Sequence, residues 1–195
     1  MAFGMCATLS TYTSQNQAGY YATVAPAWEL SFMTAIYLAG GISGGHLNPA
    51  VTLTMSFWRG FPTRKCATYI LAQVIGGITA RGIAYAIYHD SIVQSAVLNN
   101  VSQAKSPARQ AMITAPKVFV HPVLAFFTGF LGTAILMGVI MALRDDTNAP
   151  PGARMQAFVI GILITVLILA LAYTRGGCFN PARDFGGCLV AVMAS

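Results

Sequence analysis

Residues 43–54 read SGGHLNPAVTLT: a glycine pair, then Asn-Pro-Ala, set between stretches apolar and long enough to cross a bilayer. Proline at the first helical position is tolerated because its missing N–H would be unpaired there anyway, and the asparagine before it is a good N-cap. The motif therefore predicts a short helix starting at Pro49. A second copy lies in GGCFNPARDFGG, residues 176–187. A given tripeptide arises by chance at roughly one position in ten thousand on average residue usage, so two copies call for a structural reason. Each follows an apolar span, is preceded by paired glycines, and opens a segment too short to cross. Paired interrupted half-segments of this kind point to an inverted repeat whose halves meet at the bilayer midplane. The two helix N-termini would then direct unpaired N–H groups and positive dipole ends at one point. Irregular backbone at that depth must be covered by protein or line a wet cavity, so the arrangement predicts a pore.

The rest of the chain fits a lipid environment. Of 195 residues, 56% are hydrophobic and 8% charged, against about a quarter charged in a soluble domain. Four spans are expected: Thr23–Ile42, Cys66–Tyr88, Val118–Leu143 and Met155–Tyr173. The opening MAFGMCATLS is too short to cross and lacks the basic start of a signal peptide, and the tail FGGCLVAVMAS is also too short. The chain is thus expected to begin within one membrane segment and to stop before another.

The net charge of +6 comes from scattered cations rather than a basic stripe, which argues against nucleic acid as a partner. Arg59, Arg64, Lys65, Arg144 and Arg154 fall on one side if the spans alternate, and Lys105, Arg109 and Lys117 on the other. The positive-inside rule places the first group in the cytoplasm. Cys6, Cys66, Cys178 and Cys188 show no CxxC spacing and read as apolar thiols rather than metal ligands. His46 stands alone, which gives no metal site, and no cofactor is expected.

With these residues in view, the sequence resembles the aquaporin and glycerol-channel superfamily, the major intrinsic proteins, and is most similar to fungal-type aquaglyceroporins. The matching stretches are GGISGGHLNPAVTLTMSFWRGFP, YILAQVIGG, AILMGVIMALRDDTNAPPG and CFNPARDFG. The resemblance implies an all-α membrane protein with an aquaporin-like inverted repeat and two re-entrant Asn-Pro-Ala half-helices. The first repeat would cover about residues 1–98 and the second about 118–195. The family has six spans, of which this chain would hold four complete ones and part of the first, with the sixth missing. The resemblance further implies a passive, non-enzymatic channel for glycerol, water and other small neutral solutes. Such a channel would sit in the plasma membrane as a homotetramer or mixed tetramer. The alternative is a truncated non-conducting paralogue, inactive or acting on full-length subunits by co-assembly.

Residue by residue, the resemblance makes Asn48 and Asn180 the pore-centre donors, with Pro49, Ala50, Pro181 and Ala182 completing the half-helix motifs. Trp28, Gly177 and Arg183 would form the selectivity filter, supported by Asp184 and by His46 in the re-entrant loop. Trp28 could instead be an interfacial anchor, and Arg183 could pair with Asp184 at the surface. Several positions depart from the family pattern. Gly129 stands where relatives usually carry a buried glutamate, so the re-entrant loop is expected to lose a partner. Arg81 lies within a span, where a central arginine costs at least about 2.5 kcal/mol unless it snorkels to the outer interface. Arg175 is expected either to sit harmlessly at the interface or to narrow the outer mouth. Gly76 and Ala80 predict close helix packing. Residues 99–117 read as an outer linker, and TNAPPGAR (147–154) as a cytoplasmic turn.

Overall fold

The computed structural model describes residues 1–149 and 151–193. Pro150, within the expected cytoplasmic turn, and the last two residues of the tail lie outside them. Eight α-helices are formed among the described residues: α1 Ala2–Thr13, α2 Tyr21–Ser43, α3 Pro49–Trp58, α4 Thr63–Leu98, α5 Pro107–Gln110, α6 Pro122–Leu143, α7 Ala153–Leu171 and α8 Pro181–Met193. By length and composition α4, α6 and α7 qualify as membrane spans. At 23 residues α2 is roughly 35 Å long, enough to cross. Its polar Glu29 is turned onto α7, where it accepts a 2.5 Å hydrogen bond from Thr165. At 36 residues α4 greatly exceeds the expected Cys66–Tyr88 span. The added turns follow His89 and Asp90, which are exposed.

Helix ends follow the local chemistry. Ala50 N–H donates to Asn48 Oδ1 (2.9 Å), and Pro49 takes the first helical position. His121 caps α6 through Nδ1, which accepts from Val123 N–H at 3.3 Å, with Pro122 next. α2 stops at Gly44, whose φ of 75° is left-handed; Gly45 and Leu47 continue at 61° and 53°. For glycine this is free of strain, but for leucine it costs roughly 1–3 kcal/mol. The turn it makes aims the Leu47 carbonyl across the centre of the molecule.

Two apolar clusters hold the helices together. Met5, Leu9, Val24, Trp28, Ala84, Ile92, Ala108, Met112 and Val190 join α1, α2, α4, α8 and the outer loop. Val51, Met55, Leu136, Ile140, Ile164, Leu167 and Phe179 join α3, α6 and α7. Phe32 and Ile168 touch both clusters and link them. The outer loop is therefore not a linker. Ser106 and Ala108 are fully buried and Met112 nearly so, because the loop covers polar backbone that lipid could not satisfy.

The small-residue packing is shifted by one position from the expectation. A Cβ on Gly76 would meet nothing within 4 Å, whereas one on Gly77 would stand 2.5 Å from the Ala182 carbonyl oxygen. The helix crossing with α8 thus uses Gly77. Gly76 and Ala80 instead line a cavity of about 580 Å³ between α2, the first re-entrant loop and α4. Cys66 and Cys178 are buried as expected, while Cys188 is exposed.

Candidate functional site

Both Asn-Pro-Ala motifs start helices, and the two starts interlock. Asn48 Nδ2 donates to the Phe179 carbonyl at 2.9 Å, and Asn180 Nδ2 donates to the Leu47 carbonyl at 2.9 Å. Each carboxamide oxygen is also engaged. Asn48 Oδ1 accepts from Ala50 N–H, and Asn180 Oδ1 from Ala182 and Arg183 N–H at 3.1 and 3.3 Å. A carboxamide nitrogen carries two N–H groups, so each asparagine is fixed in orientation with one donor beyond these bonds.

The first loop is braced by a network around Thr52. Its hydroxyl donates to the Asn48 carbonyl (3.2 Å) and accepts from Gln73 Nε2 (2.9 Å). With its single proton committed, it can only accept from His46 Nδ1 at 3.2 Å, which assigns the proton to that nitrogen. His46 is buried against the rings of Phe61 and Tyr69.

Arg183 and Trp28 are brought together: the guanidinium carbon lies 4.9 Å from the indole centroid. Trp28 is buried and its Nε1 donates to Thr8 Oγ1 at 3.1 Å, so it is not an interfacial anchor. Arg183 does pair with Asp184, at 2.9 Å, but inside the molecule rather than at the surface, with side chains 11% and 23% exposed. Asp184 Oδ1 also accepts from Thr114 Oγ1 at 2.8 Å, which ties the outer loop to the arginine. Net hydrogen bonds to charged groups contribute about 1.5–3 kcal/mol, and partial exposure favours the lower end. Thr114→Val is expected to lower thermal stability by about 1–2 kcal/mol, measured as a fall in unfolding midpoint in detergent.

Gly177 sits where an added Cβ would lie 3.4 Å from Ile168 Cγ1. Ile168 therefore forms a wall beside Gly177. Nothing in the sequence marked this isoleucine out from its apolar neighbours. Thr8, Thr52, Gln73 and Thr114 were also missed; of these only Gln73 carried a signal, as a lone amide in an apolar span.

Three departures are placed differently from expectation. Arg81 does not snorkel. It is 1% exposed, midway along α4, with its guanidinium on Met5 Sδ and 5.4 Å from the Trp28 centroid. Its Nε and Nη2 have no hydrogen-bond partner among the described residues. Arg175 is turned away from solvent in part and packs within the molecule. It turns onto α6, where Nη1 donates to the Ala125 carbonyl at 3.1 Å. The space over Gly129 is thereby filled, so the loop does not go without a partner there.

A bundle of membrane-length helices around two half-helices that meet through reciprocal asparagine bonds defines an all-helical integral membrane protein with a re-entrant core. The chain belongs to the major intrinsic protein family, whose model matches residues 1–194. It is 44% identical over 190 residues to aquaglyceroporin-4 of Botryotinia fuckeliana, covering 95% of this chain and 26% of that protein. It is 40% identical over 191 residues to the aquaglycerol porin AQY3 of Saccharomyces cerevisiae, covering 98% and 29%. Against the glycerol uptake facilitator protein of Pseudomonas aeruginosa it is 37% identical over 171 residues, covering 86% and 61%. The X-ray structure of the aquaglyceroporin from Plasmodium falciparum superposes with a TM-score of 0.85 at 25% identity, covering 100% of this chain and 76% of that one. The chain thus spans about a quarter to a third of the two fungal relatives and about three fifths of the bacterial one.

Proposed function

We propose that this chain forms the pore-bearing part of a passive channel for glycerol, water and other small neutral solutes. The observation that supports this most directly is the pair of asparagines locked across the two half-helix starts, each with a donor left for a passing oxygen. Two converging helix N-termini place positive potential at the same point, which opposes cations and protons while neutral solutes pass. Selection in such a pore comes from width, donors and potential, and needs no catalytic step.

Glycerol as the solute is supported by the names of the relatives and by the pairing of Trp28 with Arg183; we assign Gly177 to the same constriction. A guanidinium offers several fixed donors to hydroxyls, the indole offers an apolar wall to a C–H edge, and Gly177 leaves the constriction wide. Ile168 completes that wall. We assign residues of about 1–98 and 118–195 to the two inverted repeats, and place the protein in the plasma membrane as a homotetramer or mixed tetramer.

The test is stopped-flow light scattering on proteoliposomes holding the 195-residue chain, beside Asn180→Asp. Glycerol permeability is expected above that of empty vesicles and to fall at least about tenfold in the variant, the effect of roughly 1.4 kcal/mol on a barrier. Inserted protein with the permeability of empty vesicles would favour the non-conducting alternative.

A further inference from the structure

The loop that carries the second Asn-Pro-Ala motif runs along α6, and two glycines of α6 receive its side chains. An added Cβ on Gly132 would fall on the ring of Phe179. One on Gly129 would stand 2.5 Å from Arg175 Nη1 and 3.2 Å from Cys178 Sγ. Both contacts are shorter than or close to the limit for real atoms, so each glycine acts as a notch. The Arg175 guanidinium fills the Gly129 notch and donates to the Ala125 carbonyl, one turn earlier on α6. Its Nε is buried with no hydrogen-bond partner among the described residues. The same loop is held on its outer side by Lys117 N–H to the Thr174 carbonyl (3.0 Å) and closes on itself through Gly176 N–H to the Ala172 carbonyl (2.6 Å).

We infer that Arg175 and Gly129 form one coupled positioning unit: the guanidinium, seated in the glycine notch of α6, fixes the loop that presents Gly177, Asn180 and Arg183. Arg175 acts through the loop rather than on a solute. Three features act together. The notch exists only without a Cβ at position 129, the guanidinium reaches a backbone acceptor through it, and the loop between Arg175 and Asn180 is short. A shift of the arginine therefore carries along Cys178, whose thiol lies at the same notch.

Cys178 supplies a readout that does not depend on transport. In a chain with Cys6, Cys66 and Cys188 changed to alanine, the alkylation rate of Cys178 by N-ethylmaleimide reports how firmly the loop is held. Arg175→Gln and Gly129→Ala are each expected to raise that rate about tenfold by favouring local opening. The double variant is expected to be no faster than either single, because both remove the same contact. Arg175→Lys, which keeps a cation able to reach Ala125, stays near the parent rate. Equal rates for the Gln and Lys variants, or effects that multiply in the double variant, overturn the assignment. If Gly129→Ala does not fold, the Gln against Lys comparison decides it alone. The consequence for permeation rests on the channel reading. There Arg175→Gln lowers the glycerol-to-water permeability ratio several-fold while Arg175→Lys retains it. Loss of all permeation by the parent chain would sink that reading and leave the alkylation result standing.

Discussion

Gly77→Val is expected to abolish both folded yield and glycerol permeation, while Gly76→Ala, one residue earlier, leaves both unchanged. At Gly77 the added Cβ would lie 2.5 Å from the Ala182 carbonyl oxygen and 3.2 Å from its carbon. The crossing is equally tight from the other side, since a Cβ on Gly186 would stand 2.7 Å from the Gly77 carbonyl carbon. The two helices thus touch backbone to backbone, and the atoms in the way are main-chain atoms that cannot rotate aside. Overpacking of a core costs about 1–3 kcal/mol where side chains can yield, so a backbone clash belongs at or above the top of that range. Separation of α8 from α4 would also draw back the residues around Ala182, which include Asn180 and Arg183. Gly76→Ala is the matched control because its Cβ meets nothing within 4 Å. Size-exclusion profiles in detergent and stopped-flow permeability measure the two effects. A folded, conducting Gly77→Val chain would mean that α4 and α8 do not cross in this register.

How much of this was legible beforehand differs from residue to residue. The two half-helices could be read because their signal is local: an N-cap asparagine and an N1 proline act within one turn, and their duplication raised the odds. The reciprocal bonds to Leu47 and Phe179 could not be read, since they join residues more than 130 positions apart and use backbone carbonyls, which leave no mark in sequence. The role of Gly77 rather than Gly76 turned on which stripe of α4 faces α8. Hydrophobic periodicity is nearly silent on that point in a helix with apolar residues on every side. The outer loop looked like a linker because its composition is polar, yet Thr114 and Met112 are drawn inward by Asp184 and by the core. Gly129 and Arg175 were each visible as departures. Their contact was not, because the two lie 46 positions apart and no pairing rule links a glycine to an arginine.

Arg81→Met is expected to make the protein more stable, the opposite of the usual result of removing a charge with many contacts. The guanidinium is 1% exposed, two of its nitrogens have no hydrogen-bond partner among the described residues, and the carboxylate of Asp184 is already engaged by Arg183 and Thr114. A second guanidinium, that of Arg183, lies near the same indole, so the nearby charge is partly of like sign. The penalty for removing an ion from water is several kcal/mol even after relaxation. Against it stands the cation–π contact with Trp28, worth about 2 kcal/mol when desolvated. The difference favours methionine, a good helix former that suits the apolar surround of Met5 and Trp28. The gain should be about 1–4 kcal/mol, by analogy with apolar replacement of buried ionic groups. It would be seen as an unfolding midpoint several degrees higher in detergent. Permeation is expected to persist, because the bonds of Asn48, Asn180, Arg183 and Asp184 do not involve Arg81. A lower midpoint would mean that Arg81 is neutralised by an anion or water held at its free nitrogens, and that the cation, not the cavity it fills, supports the packing of Trp28.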